Sequence, residues 1–230
     1  MTIASPLASH TLFMIGPVPI TTPVVTTWGI MAVLTLGAWA VTRRLTLQPS
    51  AIQAAAELIV DTISGQIRET MNAAPARYLP LIGTLFIFVL VANWSSLIPG
   101  IEPPTAALET DAALALIVFG ATIFYGIRAV GAGRYLLTFA QPSIFMVPLN
   151  VVELFTRSFS LTVRLFGNVM SGVFMIGVVL SLAGLLVPIP LMALELLTGA
   201  VQAYIFGALA MVFIGSAISE ASDPQQEAKT

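Results

Sequence analysis

Long apolar runs separated by short polar breaks fill most of the chain. A helix needs about 20 apolar residues to cross the hydrocarbon core of a bilayer. Three runs have that length, at 22–42, 79–98 and 111–128, and two longer ones follow, at 144–181 and 189–219. The segment 49–74 has a different period. Ile52, Ala56, Ile59, Ile63 and Ile67 recur there at helical spacing, while Glu57, Asp61, Arg68 and Glu69 fall mostly off that stripe. This pattern predicts an amphipathic helix lying along the membrane surface, not a span. The chain is therefore expected to be an all-α polytopic membrane protein, a single membrane domain over 1–230 with about five membrane helices.

The two long runs need a separate argument. At 1.5 Å per residue, a helix over 144–181 is roughly 57 Å long against a hydrocarbon thickness of about 30 Å. Such a segment must tilt steeply, bend, or break into two spans with "RLFGN" as the turn. A span confined to 144–163 would carry Pro148, Asn150, Glu153 and Arg157, too polar a set for contact with lipid. An unbroken, steeply tilted or curved helix is expected, making 144–219 a long two-helix hairpin.

The placement of Lys and Arg orients these elements. Arg43, Arg44, Arg68 and Arg77 lie between the first two spans, and Arg128 and Arg134 follow the third, whereas 1–21, 99–110 and 182–188 contain neither residue type. The positive-inside rule puts the N-terminal segment 1–21 outside, the surface helix 49–74 on the cytoplasmic face and the tail 220–230 in the cytoplasm. The acidic outer loop, with Glu102, Glu109 and Asp111, agrees. The first run ends in Arg43-Arg44, not in a small-residue cleavage site, and so reads as a retained helix.

Composition narrows the chemistry. The chain is 57% hydrophobic and 9% charged, where a soluble domain carries about 25% charged residues. A net charge of −2 gives no reason to expect nucleic acid as a partner. With no cysteine there is no disulfide or thiolate chemistry, and the single His10 stands apart from any cluster. No glycine-rich anion loop, His-Glu metal motif or Ser/His/Asp set is present. No cofactor or metal is expected, and catalysis by the chain alone is not.

Polar residues inside the long runs then stand out. Asn150, Glu153, Arg157, Ser160, Arg164, Asn168 and Ser171 step by three or four and form one stripe on a helix whose other faces are apolar. Glu153 and Arg157 are spaced for a mutually neutralising ion pair. Arg164, between Val163 and Leu165, has no acidic residue three or four positions away, and its guanidinium stays charged. A central Arg costs roughly 2.5–3.5 kcal/mol on insertion scales, so water, an internal carboxylate or a carboxylate of another chain must compensate it. In the last run Glu195, Thr198, Gly199 and Gln202 share a face. Glu195 is suited to carrying a proton or cation or, alternatively, to pairing with Arg164. Gln202 can hold a guanidinium or make an ordinary interhelical hydrogen bond. Ion translocation is the natural class.

"SLTVRLFGNVMSG", with "LTGAVQAYIFGALAMVFI" after it, resembles the a subunit of rotary F-type ATP synthases. "LFMIGPVPITTPVVTTW" and "LPLIGTLFIFVLVANWSSLIPGIEPPTA" extend the resemblance over nearly the whole chain. It implies a stator ion-channel subunit that passes protons or sodium ions through two offset half-channels to and from a ring of c subunits. ATP synthesis and hydrolysis would reside in the soluble head, and b-type peripheral stalk subunits would be further partners. Arg164 occupies the place of the arginine that faces the ring carboxylates. Asn168 matches an asparagine beside it, Gln202 a glutamine near it, and Glu195 a titratable residue of the outer half-channel. Val173 departs from the pattern, standing where many members carry a second titratable residue, and Ser158 replaces a frequent proline. Short loops and no transit peptide point to the inner membrane of a bacterium, with organellar encoding as the alternative. A free-standing secondary transporter, with Arg164 binding an anionic substrate, is the alternative; it predicts inverted repeats, and the chain shows no convincing one.

Overall fold

The computed structural model describes residues 11–15, 18–43, 50–98, 101–138, 145–183 and 187–222. His10, Arg44, Pro49 and the greater part of the tail 220–230 lie outside them. Two short strands, β1 (Thr11–Ile15) and β2 (Val18–Thr21), pair antiparallel ahead of the first helix. Beyond them the described chain is helical: α1 (Thr22–Thr42), α2 (Ala51–Met71), α3 (Leu79–Trp94), α4 (Leu108–Val130), α5 (Ala132–Thr138), α6 (Met146–Ala183) and α7 (Pro188–Ser222). Among the described residues five helices are long and apolar enough to cross a membrane: α1, α3 with the single turn after it, α4, α6 and α7. The expected polytopic all-α architecture is the one observed, with the strand pair as a small addition.

Local chemistry explains the helix ends. Pro23 sits in the first turn of α1, where its missing N–H costs nothing. Within α1 the Thr26 and Thr27 hydroxyls donate to Thr22 O at 3.1 Å and Pro23 O at 2.8 Å, so neither polar group is left bare among apolar neighbours. Trp28, Met31, Leu36 and Trp39 are exposed along α1, an apolar surface suited to lipid. At its end Arg43 stands over the Trp39 ring, 4.6 Å from the centroid, combining the basic and aromatic anchors of a membrane interface.

Ser50 caps α2 by accepting a hydrogen bond from Gln53 N at 3.4 Å, and Asn72 ends it in the left-handed region at φ 48°. The isoleucine stripe of α2 divides. Ile63 and Ile67 are buried with Tyr78, Ile82, Met211 and Ile214, whereas Ile52 and Ile59 remain exposed. The buried members of the stripe lie in the C-terminal half of α2, where they meet α3 and α7.

α6 is unbroken through "RLFGN". Its 38 residues span about 57 Å, and the 35 residues of α7 about 52 Å. α7 is the central element and packs against α2, α3, α4 and α6. Its buried inner residues Ala203, Phe206 and Ala210 join Leu85, Phe88, Val89 and Ala92 of α3, Leu114, Ala115 and Val118 of α4, and Leu161 and Leu165 of α6. Lipid is as apolar as these side chains, so close contact and hydrogen bonding hold such helices together. Gly199 shows the closeness: a Cβ there would stand 3.1 Å from the Asn93 Cβ.

Candidate functional site

The polar stripe of α6 lies along the edge between its packed and uncovered faces. Leu161, Leu165 and Val169 point inward and are buried. Val152, Phe155, Phe159, Val163 and Phe174 form an exposed apolar face on the other side. Arg164 emerges on that uncovered face and is itself exposed.

Toward the N-terminal end of α6, the stripe is bound to its neighbours. Arg157 Nη2 donates to Glu153 Oε1 in an ion pair, Nη1 donates to Ser216 Oγ at 3.4 Å, and the guanidinium sits 5.4 Å from the Phe213 ring centroid. Glu153, Arg157, Ser160 and Arg164 together line one cavity of about 540 Å³, closed on the α7 side by Leu209 and Phe213. Asn150, half-buried, lies a turn before Glu153. Arg164 differs from Arg157: among the described residues it has no ion pair or hydrogen bond.

Toward the other end, Asn168 is half-buried and its carbonyl accepts from Ser171 Oγ at 2.9 Å. Gly172 follows, about 12 Å along the axis from Arg164. A Cβ on Gly172 would lie 2.7 Å from Glu195 Oε1, so the missing side chain is the space the carboxylate occupies. Ser96 is close enough to influence Glu195, but its hydroxyl is directed to Asn93 O at 2.8 Å. Both Glu195 oxygens are buried without a hydrogen-bond partner among the described residues. Glu195 is therefore not the counter-ion of Arg164. Gln202, 7% exposed, faces into the bundle and makes no hydrogen bond with Arg164.

A cavity of mixed lining thus reaches Arg164 from one end of α6, and a half-buried Glu195 with enclosed oxygens stands beyond it toward the other. Comparison with known proteins decides the family. The family described as ATP synthase A chain matches residues 24–215. The chain belongs to the ATP synthase A chain family. It is 57% identical to ATP synthase subunit a 2 of Bradyrhizobium sp. over 94% of this chain and 96% of that protein. It is 46% identical to ATP synthase subunit a 2 of Pelobacter propionicus, over 91% and 92% of the two chains. With ATP synthase subunit a 2 of Acaryochloris marina the identity is 49%, over 83% and 82%. As a member of this family it is an apolar, membrane-sector subunit that works in complex with other ATP synthase subunits.

The structure adds residues that the sequence pattern passed over. Asn93 Nδ2 donates to Gly199 O at 3.0 Å and its Oδ1 accepts from Thr105 Oγ1 at 2.9 Å, while Trp94 Nε1 donates to Leu196 O at 3.1 Å. These bonds hold the α7 backbone on both sides of the turn after Glu195. An amide at the end of "LFIFVLVAN" was the available signal. Asp111, read from the sequence as a loop acid, lies inside α4 and is fully buried.

Proposed function

We propose that this chain is the stator half of a rotary ion channel, passing protons or sodium ions between the two sides of the membrane by way of the c-ring. The observation that carries the reading is Arg164: a permanent cation beside an uncovered apolar helix face, with no ion pair among the described residues. A face of that kind suits a neighbouring helix that brings a carboxylate. At an effective dielectric of about 20, opposite unit charges 4 Å apart attract by roughly 4 kcal/mol. A ring carboxylate at Arg164 is thereby favoured as the anion and releases its ion before it passes.

The two ends of α6 supply the two half-channels. The cavity lined by Glu153, Arg157, Ser160 and Arg164 is the cytoplasmic one, and the Glu195 pocket beside Gly172 belongs to the outer one. An ion taken up at Glu195 cannot go straight to the cavity, because Arg164 repels it; it crosses by riding the ring. Asn168 and Gln202 flank this crossing as neutral donors and acceptors. The membrane potential supplies about 2.3 kcal/mol per elementary charge per 100 mV. The chain itself catalyses nothing. It lies in a bacterial inner membrane with its N-terminus outside and its C-terminus in the cytoplasm, beside the c-ring and the b-type peripheral stalk.

Gentle detergent extraction tests the reading. The chain is expected to co-purify with a ring of small hairpin subunits; recovery as a lone monomer or dimer would count against it. Gly172→Ala tests the Glu195 pocket. The new methyl group meets the mobile end of Glu195, a packing cost near 1 kcal/mol that better helix propensity offsets by about 0.5–1 kcal/mol. Thermal stability of the complex is expected to stay nearly constant while ion flux falls, and unchanged flux in reconstituted vesicles would contradict the placement.

A further inference from the structure

Asp111 is 0% exposed, and both of its carboxylate oxygens are buried without a hydrogen-bond partner. It is the fourth residue of α4, near the positive end of that helix, yet neither oxygen accepts a backbone N–H, so it is not acting as a cap. Glu109, two residues earlier, is exposed. A carboxylate enclosed in this way needs a proton, a cation or a donor, and no donor is present among the described residues. Intramembrane acids are costly enough that each one calls for a role.

Asp111 stands at the same end of the bundle as Glu195. Thr105, in the turn that leads into α4, is 0% exposed and bonded to Asn93, which in turn holds Gly199, one turn from Glu195. The same turn packs against α6, whose Gly172 faces Glu195. Deeper along α4, Leu114, Ala115 and Val118 join the cluster containing Leu161 and Leu165, the residues that bracket Arg164. α4 therefore runs from Asp111 toward the level of Arg164.

We infer that Asp111 is a second ion-exchanging carboxyl of the outer half-channel, acting in series with Glu195. It supplies from α4 the titratable group that Val173 does not supply from α6. With protons as the coupling ion, the Asp111 O–H bond breaks as a proton passes through water to the Glu195 carboxylate and an O–H bond forms there; charge is conserved and nothing is oxidised. With sodium, the same two carboxylates exchange the cation. The inference rests on the channel reading above and can fail without it.

The test uses the complete ATP synthase in proteoliposomes, with ion uptake driven from the outer side. Asp111→Asn is expected to assemble normally and to lower flux and ATP synthesis by about tenfold or more, and Asp111→Glu to restore much of both. The chain has no cysteine, so Asp111→Cys introduces its single thiol, and silver ion added from outside is expected to inhibit that complex but not the parent. Running the assay on a proton gradient and on a sodium gradient distinguishes the cation. Normal flux in Asp111→Asn, failure of that variant to assemble, or a silver-resistant Asp111→Cys would each overturn the inference. If Arg164→Ala and Glu195→Gln block flux while Asp111→Asn does not, only Asp111 is misassigned. If all three conduct normally, the channel reading itself fails.

Discussion

Membranes carrying Arg164→Ala are expected to lose coupled ion transport and ATP synthesis while still containing assembled complex. The attraction of roughly 4 kcal/mol that holds a passing carboxylate as an anion disappears with the guanidinium. At 1.36 kcal/mol per factor of ten, that is about a thousandfold loss of preference for the empty carboxylate at the crossing point. Ring sites then pass still loaded, and ions no longer have to travel the long way round. The fold should tolerate the change, because Arg164 is exposed and has no ion pair or hydrogen bond within the described chain. Synthesis rates in washed membranes, read beside the amount of assembled complex on native gels, check both halves. Synthesis at the parental rate would refute the role.

Glu195→Gln has the second largest expected effect. The substitution keeps size and shape but removes the acid that α7 contributes to the proposed exchange path, and positioned proton-transfer groups contribute about 100- to 10,000-fold. Outer-side ion uptake is expected to fall by about two orders of magnitude or more. Glu153→Gln should cost much less. Glu153 is already paired with Arg157, which keeps its Ser216 hydrogen bond and its place over the Phe213 ring when the carboxylate is neutralised. Ion flux into reconstituted vesicles compares the two directly, and equal losses would show that Glu195 has no special place on the route.

Much of this arrangement is legible in the sequence. Arg164 could be found because a permanent charge in an apolar run has no local remedy, and the unbroken course of α6 followed from the polarity of 144–163. What stayed hidden depended on contacts between helices. The isoleucine period of α2 does not say how far α3 and α7 extend beneath it, so the exposure of Ile52 and Ile59 could not be read. Gly172 carries no chemistry until Glu195 is seen to fill the space beside it. Asn93 looks like a lone amide at a helix end until its register against Gly199 and Thr105 is known. Asp111 stands at the first position of the run 111–128 and reads with Glu102 and Glu109 as part of the acidic outer loop; α4 begins at Leu108 and takes Asp111 inside.

The role of Arg164 can be tested most directly by cryo-electron microscopy of the assembled synthase, resolved well enough to locate the guanidinium and every carboxylate around it. The account predicts that its nearest acid is a ring carboxylate within salt-bridge or single-water reach, with Glu195 and Asp111 both turned elsewhere. A guanidinium bonded to Glu195, to Asp111 or to a lipid phosphate, with the ring carboxylates out of reach, would contradict it.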